Sequence, residues 1–346
     1  MQEGTPLAEL TLGQGFGPAV FAVRSVEDRG ENTTKPRLGL RLVDASQPEG
    51  RTAKVWRPDG VTYAALLKGN LARVWGRVDD TGAWAGDLTL ERAEAVPLPE
   101  DLSPYLPALP ENHAQTWRTF AELVRSITNP HLKELLHRLF APTQQKVFAD
   151  AVAAGAHHHA FRGGLLRHTV EVARLCDATC AVLPFLRRDL LVTAALLHDY
   201  GKLTEMEHGL CAGNFTTLGT LVGHLHEGAF QVRLAAAEIP GFPEALRLAL
   251  EHLVLSHHGK PEQGSPKVPA FPEALVLAEC DQISAQATAM HEAIRNASQG
   301  QESVRFGDRW LFVGNLGEDT ANTEPVVENR FALAKCLLTT GEETER

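Results

Sequence analysis

The stretch AALLHDYGKL, residues 194–203, decides how the C-terminal half of this chain folds. Four apolar residues lead directly into the adjacent pair His198 and Asp199, and Gly201 and Lys202 follow. A charged group next to so apolar a run needs a partner, because burying an unpaired charge costs free energy. The stretch therefore predicts a buried helix whose end delivers a histidine and a carboxylate to an internal site.

The chain on both sides of this stretch has the hydrophobic period of helices. From about Thr116 onward, apolar residues recur at intervals of three and four, and proline and glycine residues mark the breaks. This pattern predicts an all-α domain over residues 116–300. In the C-terminal extension, residues 301–346, the stretch DRWLFVGN fits either a strand or a covering loop.

Further polar groups lie on the apolar faces of these predicted helices. His168, for example, shares a face with Leu165 and Val172. Taken singly, each histidine fits a core residue with one hydrogen-bond partner, but their joint order across five helices favours metal binding. The predicted ligands of that metal centre are His168, His198, Asp199, His224, His257 and Asp281.

Imidazole and carboxylate ligands suit transition metals better than Ca²⁺. Six such groups predict two divalent ions, for which Mn²⁺, Fe, Co, Mg and Zn are all candidates. Asp199 is the predicted bridge because a carboxylate has two oxygens, and two neighbouring ions can orient a phosphate for hydrolysis. The neighbouring His258 fits either a further ligand or a general acid for the leaving oxygen.

Lysines near these groups are candidate phosphate contacts. Lys202 follows Asp199 by three residues, so its ammonium is predicted to pair with a phosphate, although a lysine that stabilises a helix end is the alternative. Lys260 and Lys267 lie on the loop after the histidine pair, where they fit either substrate binding or a solvated loop.

Residues 15–96 have a different pattern, with five short runs of alternating apolar and polar residues separated by turn residues. A gap between the third and fourth runs leaves room for a short helix. The pattern predicts a five-stranded OB-like β-barrel within residues 1–98. Five prolines between Pro97 and Pro110 then predict a linker over residues 99–115.

Aromatic and basic residues in the predicted barrel fit a platform for a single nucleic-acid strand, although barrel core is the simpler explanation for any one aromatic residue. Trp56 and Trp75 are the leading candidates for base stacking, with Phe21 and Trp84 beside them. The residues that could follow the phosphate backbone are Arg24, Arg41, Lys54, Arg73 and Arg77.

Composition excludes some classes of protein. The formal net charge of −10 argues against coating of nucleic acid by bulk electrostatics, but it allows a local groove. The five cysteines form no CxxC pair, which favours a reducing compartment. No stretch reaches the roughly 18 apolar residues of a membrane span, so a cytoplasmic protein without a membrane partner is predicted.

The order of the predicted ligands resembles that of the HD-domain phosphohydrolase superfamily. Longer stretches resemble the bacterial YhaM-type 3′→5′ exoribonucleases, which combine an N-terminal OB domain with an HD domain. These stretches are HHHAFRGGLLRHT, LLHDYGKLTE, LGTLVGHLHEG, LVLSHHGKPEQGSPKVP and EALVLAECD. The resemblance covers about residues 15–290. It implies a Mn²⁺-favouring enzyme that removes 5′-nucleotides from the 3′ end of single-stranded RNA, and to some degree DNA, with the same six metal ligands.

Two features depart from that family. Ser284 and Gln286 stand where the family has a second acid and a lysine, so substrate preference is expected to differ if these residues touch substrate. The triple histidine at residues 157–159 also fits less well and is assigned no role. Two alternatives stay open: an HD phosphohydrolase acting on nucleotides, cyclic dinucleotides or small phosphate esters, and a nucleic-acid-binding module without catalysis. The oligomeric state is left open.

Overall fold

The structure is a computed structural model. It describes residues 4–29, 37–106, 109–110, 112–153, 161–295, 297 and 301–314. The triple histidine at 157–159 lies outside these residues. Backbone contacts divide the chain into two compact units, Met1–Ala289 and Met290–Arg346, and each is described by itself.

The first unit begins with a closed five-stranded barrel in which the strands neighbour one another in the order β1-β2-β3-β5-β4. Strand β1 closes the ring by pairing with β4, and β3 runs parallel to β5. The elements are β1 (Gly15–Arg29), β2 (Arg37–Asp44), β3 (Gln47–Trp56), α1 (Gly60–Ala65), β4 (Leu71–Val78) and β5 (Leu88–Val96). The predicted OB-like barrel, with its helix before the fourth strand, is confirmed.

Two residues predicted to contact nucleic acid make contacts within the barrel instead. The Phe21 ring is fully buried in the barrel core, because alternation along β1 directs it inward, so it cannot stack on a base. Lys54 faces outward but is buried, and its Nζ donates to Asp79 Oδ2 at 2.5 Å. Its charge is therefore already paired within the barrel.

The proline-rich segment packs against the barrel. Tyr105 is buried in a small apolar cluster that also includes Val20 and Val43 of the barrel and Leu210 of the helical region. Nearby, the Pro104 carbonyl accepts a hydrogen bond from the Ala45 amide at 3.1 Å. Strand β1 is thus covered on both faces, which explains its continuous apolar run.

Ten α-helices follow within the part of the chain that the structure describes, beginning at His113. They are α2 (His113–Ser126), α3 (Pro130–Leu139), α4 (Pro142–Asp150), α5 (Gly164–Val182), α6 (Arg188–Leu197), α7 (Lys202–Glu205), α8 (Thr217–Leu221), α9 (His224–Ala237), α10 (Glu244–Ser256) and α11 (Pro272–Arg295). Helix α6 is buried at every position from Leu190 to Leu197. The residues that follow it are therefore delivered to the interior, as the opening stretch predicts.

The part of the second unit that the structure describes contains an antiparallel hairpin of β6 (Ser303–Phe306) and β7 (Arg309–Phe312). Within the stretch DRWLFVGN, residues 309–312 therefore form a strand, the first of its two predicted alternatives. Among the described residues, no helix combines the length and the apolar character needed to cross a membrane.

Candidate metal centre

The structure brings all six predicted ligands to one place in the helical region. His168 projects from α5 and Asp281 from α11, whereas His224 is the first residue of α9. His198 and Asp199 follow the end of α6, and His257 follows the end of α10. The rings of neighbouring histidines lie close together, with centroids 4.9 Å apart for His198 and His257 and 5.2 Å apart for His168 and His198.

Asp199 lies at the centre of the cluster, and its two oxygens face different histidines. Oδ2 is 3.5 Å from Nε2 of His168 and 3.4 Å from Nε2 of His198. Oδ1 is 3.5 Å from Nε2 of His224 and 3.6 Å from Nε2 of His257. A carboxylate placed in this way is suited to bridge two ions, one on each side.

The other predicted ligands lie on two sides of Asp199. Asp281 Oδ1 lies 3.0 Å from His168 Nε2, and His168, His198 and Asp281 offer ligand atoms within 4.8 Å of one another. On the other side, His224, His257 and His258 form a second such group. These two groups are called the His168 side and the His224 side below.

Three histidines are oriented by backbone carbonyls. The Nδ1 atoms of His198, His257 and His258 lie 2.8, 2.7 and 2.9 Å from the carbonyl oxygens of Ala195, Val254 and Gln263. A carbonyl can only accept, so each Nδ1 carries the hydrogen and each Nε2 keeps a lone pair for the centre. This geometry favours His258 as a ligand over a general acid.

The other two histidines are oriented by side chains. His224 Nδ1 donates to Glu205 Oε1 at 2.9 Å. His168 Nδ1 lies 3.1 Å from Ser284 Oγ, which donates to Glu171 Oε2 at 2.9 Å. Sequence reasoning missed both glutamates, although Glu171 lies one helical turn after His168. Ser284 is buried and contacts a predicted ligand, so the interpretation of Ser284 as a substrate contact is not supported.

Burial and charge set the protonation states. Burial lowers the pKa of His257 to about 3, and burial also lowers the pKa of His168 and His258. Burial alone would raise the pKa of Asp199, but the nearby charge of Lys202 holds it well below its usual range. Neutral imidazoles and an ionised carboxylate are the forms that bind metal.

Two observations test whether these residues fit a metal. Asp199 Oδ1 and His224 Nε2 are buried without a hydrogen-bond partner, which is costly unless another group satisfies them. His168 Nε2 and His198 Nε2 are also only 3.2 Å apart, and when both rings carry their hydrogen on Nδ1, a cation between the two Nε2 lone pairs would satisfy both. The donor set of imidazole and carboxylate therefore fits divalent metal.

Comparisons with known proteins agree with this geometry. The family model for the HD domain matches residues 165–286. The 3′-5′ exoribonuclease YhaM of Bacillus subtilis (strain 168) is 32% identical over 278 residues, which cover 78% of this chain and 85% of the relative. The protein of the same name from Listeria welshimeri is 31% identical over 279 residues, 79% of this chain and 86% of the relative. The chain belongs to the YhaM family.

No solved structure matches the chain. The HD domain implies binding of divalent metal, and three groups could hold it: the His168 side, the His224 side, and His198, Asp199 and His257 between them. In this member of the YhaM family, ligands thus reach one shared centre from within α5 and α11, from the first residue of α9, and from the residues that follow the ends of α6 and α10.

The three predicted lysines have different positions. Lys202 Nζ donates to Asp199 Oδ2 at 2.7 Å, so it belongs to the centre. Lys260 is exposed on the loop that follows the histidine pair. Lys267 is exposed farther along that loop, where burial together with the Lys267 charge lowers the pKa of His252.

The predicted tryptophans lie on the outside of the barrel. Trp56 and Trp84 are 40% and 42% exposed, and the Arg37 guanidinium lies over both rings, 5.6 and 4.6 Å from their centroids. A groove of about 370 Å³ on the outer face of β2 and β3 includes Arg37, Arg41 and Trp84 in its lining. Trp75 is partly buried on β4, beneath Arg92 at 4.8 Å. Strands 2 and 3 are the surface that OB folds use for oligonucleotides.

Proposed function

We propose that this protein is a metal-dependent 3′→5′ exoribonuclease that hydrolyses single-stranded RNA, and more weakly single-stranded DNA, to 5′-nucleotides. Two lines of support converge. Relatives covering most of this chain carry the name 3′-5′ exoribonuclease. The observation that carries the proposal is the position of Asp199, whose two oxygens each face a separate pair of histidine Nε2 atoms.

The proposed ligands are His168, His198 and Asp281 on one side and His224, His257 and His258 on the other, with Asp199 between them. We propose Mn²⁺ on both sides, because mixed imidazole and carboxylate sets suit it. When bound, such ions polarise a phosphoryl group and lower the pKa of a coordinated water. Fe, Co, Mg and Zn are the alternatives that metal analysis would separate.

Three lysines outside the ligand set contact the RNA backbone in the proposed reaction. Lys202 pairs its ammonium with a non-bridging phosphoryl oxygen and so stabilises charge that develops in the transition state. Its side chain is mostly buried, which strengthens that interaction by excluding water. Lys260 and Lys267 are placed on a loop outside the centre, where they contact the backbone of the strand before it enters.

The barrel holds the strand upstream of the bond that is cleaved. We place bases on Trp56 and Trp84, with Arg37 and Arg41 at the phosphates, and we assign Trp75 to the edge of this surface. The four cysteines that the structure describes are free thiols, which supports a location in the reducing cytoplasm.

The test uses the full chain with Mn²⁺ and a single-stranded RNA labelled at either end. We expect the 3′-labelled RNA to release labelled mononucleotide at once and the 5′-labelled RNA to shorten progressively. Asp199→Asn keeps the shape of the side chain but loses its charge. We therefore expect it to lose metal and to lose more than the roughly 10- to 100-fold in rate that removal of an outer-shell partner costs, because Asp199 is the proposed direct ligand.

Three results would contradict the proposal. If Asp199→Asn had the same rate and the same metal content as the parent protein, Asp199 would not be the bridging ligand. Hydrolysis of small phosphate esters without a ladder on RNA would favour the small-substrate phosphohydrolase. Binding of RNA without products in any of the five metals would favour a binding module.

A further inference from the structure

Glu205, at the end of α7, contacts a proposed metal ligand but has no role in the proposed reaction. Its side chain is buried, and its Oε1 accepts two hydrogen bonds from one residue. One comes from the backbone amide of His224 and the other from Nδ1 of the same histidine, both at 2.9 Å. A single carboxylate oxygen thus fixes both the start of α9 and the plane of the ring.

The position of His224 in its helix explains why it needs this carboxylate. His198 and His257 follow the C-terminal ends of helices, where a ring can turn back onto a carbonyl three residues earlier. His224 is the first residue of a helix, where amides rather than carbonyls lack intrahelical partners. The ring and the amide of His224 therefore both require an acceptor from elsewhere in the chain.

The backbone of Glu205 is itself held in place. Its carbonyl accepts from the amide of Thr216 at 2.9 Å and from the Thr216 hydroxyl at 3.2 Å. Gly219 packs so closely that a Cβ there would lie 2.1 Å from the same carbonyl oxygen. Since the backbone cannot shift freely, the carboxylate defines where the His224 ring points.

The His168 side does not depend on Glu205. His168 is oriented by Ser284 and Glu171, and His198 by a backbone carbonyl. The two sides share Asp199 as their bridge, but their orienting groups differ. Loss of one orienting group should therefore weaken the binding of one ion more than that of the other.

We propose that Glu205 is the positioning residue of the His224 side, and that removing its carboxylate releases the ion held there while the ion on the His168 side stays bound. This inference rests on the two-ion centre of the proposed function. The physical reason is that a carboxylate on Nδ1–H both fixes the ring and makes Nε2 a better donor to metal.

The experiment measures Mn²⁺ in the full-length protein by elemental analysis and by electron paramagnetic resonance. The variants are Glu205→Ala, Glu205→Met, which keeps side-chain length without the carboxylate, and Glu205→Gln, whose amide oxygen can still accept. Glu207→Ala is the matched control two residues away, where the carboxylate pairs with Lys68 instead. Circular dichroism identifies which variants are folded.

We expect two ions with a coupled spectrum in the parent and in Glu207→Ala. In Glu205→Ala or Glu205→Met, one ion should remain with an uncoupled six-line spectrum, and the second ion should bind 10- to 100-fold more weakly, as is typical for outer ligands. Glu205→Gln should recover part of that affinity. A merely structural role would not convert a coupled spectrum into an uncoupled one.

Two coupled ions with parent affinity in either Glu205→Ala or Glu205→Met would overturn the inference. Loss of both ions in a folded variant would also overturn it, as would Glu205→Gln binding no better than Glu205→Met. If instead the parent protein itself held a single ion or left RNA intact, the proposed function would fail, whatever the Glu205 variants did.

Discussion

Lys202 is the cation closest to the bridging carboxylate, and its position decides what it can do. Its Nζ donates to Asp199 Oδ2 at 2.7 Å, and both side chains are largely shielded from solvent. Burial alone would lower the pKa of Lys202, but the Asp199 carboxylate raises it above its ordinary value. The lysine is therefore charged at neutral pH, as its proposed contact with a phosphoryl oxygen requires.

We predict that Lys202→Met lowers turnover on RNA without loss of bound metal. Methionine keeps the length of the side chain but removes the charge. We expect two ions to stay bound and kcat on RNA to fall by roughly 10²- to 10³-fold, the cost of losing one contact made in the transition state. Lys133→Met on α3, outside the centre, is the control. Unchanged kcat would leave Lys202 as a partner of Asp199 alone.

Individual residues also show what sequence can and cannot predict about the site. The histidines and aspartates of the centre could be predicted because each places a polar group on an apolar helical face. Glu205 and Ser284 could not be assigned their contacts, because their partners His224 and His168 lie 19 and 116 residues away along the chain. Local spacing carries no information about such distant hydrogen bonds.

At the scale of elements, the close crossing of two helical segments sets the distance between Asp199 and His224. Gly201 follows the end of α6, and a Cβ there would lie 2.1 Å from the carbonyl oxygen of His224 and 2.7 Å from the amide of Gly228. Both neighbours are backbone atoms, which cannot rotate away. Only glycine therefore allows α9 to begin so close to the turn that contains Asp199.

We expect Gly201→Ala to move the first turn of α9 away from Asp199. Overpacking of this kind costs about 1–3 kcal/mol, and the displaced His224 should weaken the second ion. Chemical denaturation and Mn²⁺ titration measure the two effects. Gly60→Ala in α1 is the control, because a Cβ there meets nothing within 4 Å. Parent-like Mn²⁺ affinity in a less stable Gly201→Ala would show that the crossing supports the fold but not the centre.

The same elements show where hydrophobic periodicity fails. The helical pattern of residues 188–203 continues past His198 and Asp199, whereas α6 ends at Leu197 and a turn connects these two residues to α7. The run over 218–239 is likewise divided before His224, where Gly223 adopts a φ of 80°. Periodicity identifies the buried face of a helix but does not detect a backbone turn that orients ligands. It also fails to predict α4, whose hydrophobic pattern is weak.

At the scale of the whole first unit, the barrel is fixed to the loop that joins α7 to α8. Asn214 Nδ2 in this loop donates to the Arg24 carbonyl at 2.9 Å, and Lys68 Nζ lies 2.6 Å from Glu207 Oε2. Leu210 is buried against barrel residues in the same region. The loop begins directly after Glu205, so the barrel and the candidate metal centre are attached to the same short segment.

We predict that the barrel contributes to capture of RNA and not to the chemical step, because Trp56 and Trp84 are exposed on the barrel and are not part of the metal centre. A protein carrying both Trp56→Ala and Trp84→Ala should bind a single strand of about 20 nucleotides at least tenfold more weakly, since stacking contributes roughly 1 to 3 kcal/mol per base. Hydrolysis of a small activated phosphodiester should be unchanged, because the centre is untouched. Trp310→Ala on β7, which also replaces an exposed tryptophan, is the control.

The charged residues of the same groove should act differently from the tryptophans, and salt separates the two effects. Arg37→Ala and Arg41→Ala each remove a cation beside the groove, so each should lower the dependence of log affinity on log salt concentration by about one unit. The tryptophan pair should lower affinity with little change in that slope, because stacking releases no counterions. Binding measured over a salt series distinguishes these outcomes. Equal affinity and equal slope in all variants would leave the barrel without a role in RNA capture and would favour a small phosphate ester as the substrate.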